Sequence, residues 1–136
     1  MENLMEKKQV YQGTVKPGVG GAATEWSKSG VREDFQRLTG LFVIPGTLNL
    51  RLTEPIDTTG MKYVGVDFDP SEYGNTYKGE TGIYYCPVTV AGEYPACVCI
   101  FTWINSKYHV ELVSPYHLRT VLNLSDGDVI AFTIGQ

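Results

Sequence analysis

Three short segments of this chain carry residue types that chemistry needs. The first is Ile44-Pro45-Gly46-Thr47-Leu48-Asn49-Leu50. Side chains alternate along an extended chain, so Thr47 and Asn49 share one face while Leu48 and Leu50 take the other. A hydroxyl and a carboxamide side by side are two neutral oxygens that can hold a hard cation such as Mg²⁺, given phosphate oxygens and water to complete the octahedron. Taken alone, the pair also reads as an exposed polar strand face. The second segment is Gly18, Val19, Gly20, Gly21, Ala22 and Ala23. Its small residues let a ligand approach the main chain and let successive N–H groups converge on an anion. No Gly-Lys-Ser/Thr follows and no parallel βαβ unit surrounds it, so it is neither a Walker loop nor a dinucleotide fingerprint. A flexible turn is the plainer alternative.

The third segment is Ser114-Pro115-Tyr116-His117-Leu118-Arg119. Serine followed by proline signals a helix start. The free N–H groups of that start and the fixed donor fork of Arg119 suit a phosphate, although a capped surface helix accounts for the same pattern. Glu111 alternates with Val110 and Leu112 and is expected to face away from them, as a solvated carboxylate. His109 and His117 have no Ser or Cys nucleophile at any recognisable motif, which leaves hydrolase triads without support.

The elements that must position these segments are short. Residues 8–15 alternate loosely and read as a first strand. In 30–38, Val31, Phe35 and Leu38 form one helical stripe, with Gly40 placed as a C-terminal cap. Residues 47–52, 63–68, 83–90, 96–103, 110–113 and 128–134 read as strands, with a hairpin connection over 91–95 and a tight turn at Asp126-Gly127. Leu118, Val121 and Leu122 supply a second short helical stripe, and 70–82 reads as an excursion between strands. The sum is a mostly β chain, a small closed barrel of six or seven strands with two short helices, since closure hides strand edges at this size.

Composition agrees. The 136 residues fit one domain, 1–136, against roughly 100–200 per domain. A 43% hydrophobic content supports a packed core rather than disorder. Fifteen acidic against eleven basic residues give a net charge of −4, which argues against a nucleic-acid or anionic-membrane surface but leaves room for a local anion site. The start of the chain lacks the features of a secretory signal, and the longest apolar stretch, around 96–104, is about half of the ~20 residues a membrane span needs. Cys86, Cys97 and Cys99 are odd in number and poorly spaced for zinc, so they read as reduced thiols in a cytoplasmic protein. Nothing in the pattern sets an oligomeric state.

Order adds what the single segments lack. A glycine-rich loop, a helix, Pro-Gly-Thr-Leu-Asn-Leu, and a late Pro-x-x-Leu-Arg before Asp-Gly-Asp together resemble the archaeal-type CTP-dependent riboflavin kinases. The resemblance runs from Val10 to Ile134. It is strongest over 45–52 and 110–134 and thin over 53–95. It implies a cradle-loop β-barrel that phosphorylates riboflavin to FMN, converting CTP to CDP. By position, it implies Mg²⁺ on Thr47 and Asn49, and the nucleotide on Gly18, Val19, Gly20, Gly21, Ala22 and Ala23 and on Tyr116, His117, Leu118 and Arg119. Glu111 matches a flavin-contacting carboxylate, and Thr102 a flavin-contacting threonine after a one-residue shift. The loop departs from the family's Gly-x-Gly-x-Gly: Gly21 stands where a glutamate is common, and Ala22 where the third glycine falls. That change bears on nucleotide preference and on activity itself, so a non-catalytic flavin- or nucleotide-binding module on the same barrel is the alternative. A small interaction barrel without a ligand ranks behind both.

Overall fold

The structure is a computed structural model that describes residues 9–17, 30–44, 47–104 and 106–135. Among them lie seven strands: β1 (Gln9–Lys16), β2 (Leu48–Leu52), β3 (Lys62–Gly65), β4 (Gly82–Val90), β5 (Tyr94–Phe101), β6 (His109–Val113) and β7 (Val129–Ile134). Two helices, α1 (Val31–Thr39) and α2 (Leu118–Val121), and a 3-10 turn at Pro70–Tyr73 complete the set. All strand pairs are antiparallel. They run β4-β5-β6-β2-β1-β7 and return to β4, so six strands close a barrel and β3 lies on its outside edge.

β4 makes the closure possible by taking two partners along one edge. Its first residues pair with β3, Lys62 opposite Tyr85, and its last pair with β7, Val90 opposite Phe132. Pro87, which has no N–H to donate, falls in the stretch between those partners, where one edge of the strand is free of a ladder.

Period-two alternation then sorts the side chains into two cores. Every barrel strand sends residues into the first, including Val15, Leu50, Val90, Val98, Leu112 and Phe132, so this cluster fills the barrel interior. Each such fully buried side chain contributes about 1.5–3 kcal/mol relative to exposure. The second cluster draws on β4, β5 and β6, through Ile83, Cys97, Phe101 and Val113, on Val31 and Phe35 of α1, and on Val43 and Trp103 from the connections. It lies on the outer face of those strands, and α1 covers it.

The expected helical stripe of α1 is rotated. Val31 and Phe35 are buried, but Leu38 is 49% exposed and Asp34 takes the buried position beside Phe35. Asp34 is held there by Lys62 Nζ at 3.0 Å, by the Tyr85 hydroxyl at 2.9 Å and by Arg37. Gly40 ends α1 as expected, at φ 75° in the left-handed region, with its N–H on Gln36 O.

Three other expectations shift. The strand foreseen over 63–68 is shorter, because after Gly65 the chain keeps only one ladder-like bond, Val66 N to Thr81 O. The second helix starts after His117 instead of at Ser114. Ser114 instead accepts from Tyr116 N and donates to Pro95 O, a tight turn that competes with helix start and ties the segment to β5. In α2 only Leu118 is buried, and Val121 is 41% exposed. The Asp126-Gly127 turn forms as expected, with Gly127 at φ 94° and Ser125 N on Asp128 Oδ2.

Candidate functional site

β2 and β6 lie side by side, with Leu48 opposite Leu112 and Asn49 opposite Glu111. This register puts the leucines into the barrel and sets Thr47, Asn49, His109 and Glu111 together on its outer face. Thr47 Oγ1 donates to Glu111 Oε1 at 2.8 Å. His109 Nε2 lies 3.1 Å from Glu111 Oε2. Asn49 is 4% exposed and Glu111 1% exposed. Glu111 is therefore no solvated strand carboxylate. At Asn49 and Glu111 the outer face is itself buried, so alternation away from the barrel interior does not lead to solvent there.

Asn49 Oδ1 is buried without a hydrogen-bond partner among the described residues. A buried carbonyl oxygen left unpaired costs about 1–3 kcal/mol, and such an atom is where an unseen ligand is sought. Among the described residues no group of three or more His, Cys, Asp or Glu is placed to hold a metal. A carboxylate-rich cage is thus absent from them, but a hard cation also accepts neutral oxygens when phosphates supply the charge. Asn49 Oδ1 and the lone pairs of Thr47 Oγ1 fit that donor set.

Thr47 also lines a small surface cleft, together with Ile44, Tyr116, His117, Leu118 and Arg119. The structure thereby brings one expected metal ligand against the expected second nucleotide segment. Tyr116 packs edge-on against Tyr94, ring centres 5.2 Å apart, and keeps 45% of its surface exposed. His117 Nδ1 lies 2.7 Å from Thr120 Oγ1, which holds the first turn of α2. Arg119 pairs with Asp126 at 2.8 Å and donates to Lys16 O at 3.3 Å, both through Nη2. Among the described residues Nη1 and Nε keep their donors. Lys16 in turn stands opposite Asn49, so the chain leading to Gly18 departs from the edge of this cleft. The loop Gly18, Val19, Gly20, Gly21, Ala22 and Ala23 lies outside the described residues.

Thr102 stands apart from the cleft. Its hydroxyl donates to Glu80 O at 2.8 Å and accepts from Gly82 N at 2.9 Å, clipping the turn after β5 to the start of β4. The three thiols are free, with Cys97 and Cys99 fully buried. Burial pushes the Cys86 thiol up to about 12, the Cys97 thiol nearby adding to the shift. Cys99 is raised well above its ordinary value, again chiefly by burial.

One contributor escaped the sequence reading. His109 was weighed only for a nucleophile partner, yet it lies two residues from Glu111, a spacing that places both on one strand face.

Six strands thus close a barrel that carries Thr47 and Asn49 on its outer face, with Thr47 on the wall of the cleft that Arg119 also lines. The chain belongs to the CTP-dep_RFKase family, whose description reads "Domain of unknown function DUF120" and whose model matches residues 15–134. Over 133 residues it is 31% identical to a protein named riboflavin kinase from Methanocella arvoryzae, covering 92% of this chain and 56% of that one. A riboflavin kinase of Ignicoccus hospitalis is 31% identical over 134 residues, covering 96% of this chain and 73% of the relative. One of Saccharolobus solfataricus is 27% identical over 130 residues, covering 90% and 72%. The chain thus spans little more than half the length of the Methanocella protein. Among the described residues no helix is long and apolar enough to cross a membrane.

Proposed function

We propose that this chain is a cytoplasmic CTP-dependent riboflavin kinase, acting on small molecules rather than nucleic acid. It transfers the terminal phosphoryl group of CTP to the primary hydroxyl of the ribityl chain of riboflavin. The hydroxyl oxygen bonds to the γ-phosphorus, the bond from that phosphorus to the bridging oxygen breaks, and FMN and CDP leave. The observation that carries this reading is the buried, unpaired Asn49 Oδ1 beside Thr47, itself on the wall of the cleft that holds Arg119.

Such transfers depend on positioning and on neutralising phosphate charge rather than on covalent protein chemistry. Thr47 and Asn49 would hold Mg²⁺, which when bound lowers the charge repulsion at the phosphates. Arg119, anchored through Nη2, presents its remaining donors to the nucleotide phosphates, and Tyr116 offers an open ring face for a base. Gly18, Val19, Gly20, Gly21, Ala22 and Ala23 are assigned to the nucleotide by their place in the family pattern. Glu111 and Thr102 are assigned to the flavin by their place in the family pattern.

The family name and the relatives' names support this reading. The altered loop, with Gly21 and Ala22 in place of glutamate and glycine, favours a second one: a flavin- or nucleotide-binding barrel without turnover. Incubating the protein with riboflavin, Mg²⁺ and either CTP or ATP, followed by chromatography of the flavins, separates them. FMN formed with CTP at a rate well above that with ATP is the expected result. Quenched flavin fluorescence with no FMN from either nucleotide would establish the binding module instead.

A further inference from the structure

Glu111 has both oxygens engaged within the protein: Thr47 donates its O–H to Oε1, and His109 Nε2 lies against Oε2. A threonine hydroxyl has one proton and two lone pairs, and left to itself it rotates. With the proton directed at Glu111, the lone pairs of Oγ1 are left for an electron-poor partner. Asn49, directly across from Glu111 in the ladder, supplies a buried oxygen that lacks a partner among the described residues.

His109 is what keeps the carboxylate in that role. Its side chain is only 15% exposed and shares the face of Glu111 two residues along β6. Tied at Oε2, the carboxylate cannot swing both oxygens toward the cation and displace Thr47. It stays one hydroxyl away, where its negative charge offsets a ligand pair that carries none. Partners of this kind orient ligands and tune metal affinity in many sites.

We propose that His109 and Glu111 are positioning residues for a divalent cation: His109 holds the carboxylate, and the carboxylate holds the Thr47 proton so that Oγ1 faces the cation beside Asn49 Oδ1. The inference rests on the reading of Thr47 and Asn49 as the ligand pair.

Mn²⁺ is the probe, followed by the electron paramagnetic resonance signal of the free ion in the presence of CDP, so that affinity is read without turnover. His109→Leu fills the space without a donor, and His109→Gln restores an N–H at similar reach. His109→Leu is expected to weaken Mn²⁺ binding about tenfold, the loss usual for such a partner. His109→Gln is expected to recover most of the affinity. Should His109→Leu not fold, His109→Ala makes the same comparison. Parent-like Mn²⁺ affinity in His109→Leu overturns the proposal, as does a His109→Gln variant as weak as His109→Leu. A parent protein that binds no Mn²⁺ with CDP overturns the ligand pair itself together with this inference. A parent that binds while the variants match it overturns this inference alone.

Discussion

The three thiols show how residue environment becomes a measurable property. In an unfolded chain a cysteine ionises near its ordinary 9.0, whereas Cys86 in the fold is pushed up to about 12 by burial. Cys99 is raised in the same direction by burial. Tyr63 follows, from 10.0 to about 12, through desolvation and the Glu80 carboxylate. Between the unfolded and folded values the unfolded chain releases protons first, so stability falls as pH rises through that window. Below pH 9 these groups are neutral in both states and contribute no slope. The urea midpoint is therefore expected to decline from about pH 9 upward, and Cys86→Ala to flatten part of that decline. A midpoint that stays level or rises to pH 11 contradicts the assigned burial. At this scale the sequence was partly legible. Thr47 and Asn49 share a face because alternation is local, and His109 and Glu111 do so for the same reason. The bond between Thr47 and Glu111 joins residues 64 apart, and it exists only because β2 and β6 pair in one register.

Among the elements, α1 is the one whose placement the sequence half concealed. Its apolar residues announce a helix and Gly40 its end, but the buried Asp34 reads as a surface charge until β3 and β4 are beside it. Lys62 and Arg37 are largely solvated, with 47% and 69% of their side chains exposed, whereas the Tyr85 hydroxyl is buried against the same carboxylate. Exposed ion pairs contribute about 0–1 kcal/mol, and a buried hydroxyl left without its partner costs about 1–3 kcal/mol. Asp34→Ala is thus expected to lower unfolding free energy by about 1–3 kcal/mol and to speed hydrogen exchange in α1 before the barrel strands. Lys62→Ala is expected to cost under about 1 kcal/mol. Equal losses from the two variants in urea denaturation would show that the ion pair, and not the tyrosine, holds the helix. Likewise Ser114-Pro115 is a sound helix signal by residue type. It failed because Pro95 O, supplied by a distant strand, captures the serine hydroxyl.

For the molecule as a whole, closure of six strands is what converts scattered signals into a site. The barrel was legible from short alternating strands, frequent turns and the need to hide edges. The return of β7 to β4 was not, since one edge of β4 serves two partners and Pro87 separates them. In that barrel β1, β2 and β6 lie side by side, so Thr47 and the segment before α2 share one cleft, while Asn49 stands opposite Lys16 at the end of β1. The proposed phosphoryl transfer depends on a cation held on Thr47 and Asn49. The double variant Thr47→Ala with Asn49→Ala tests it most directly, through the rate of FMN formation across a Mg²⁺ titration, with circular dichroism read on the same samples. Loss of Mg²⁺-dependent turnover by at least about a hundredfold, in a protein that keeps the parent's β spectrum, is the result expected. Parent-like turnover with an unchanged Mg²⁺ midpoint would contradict it.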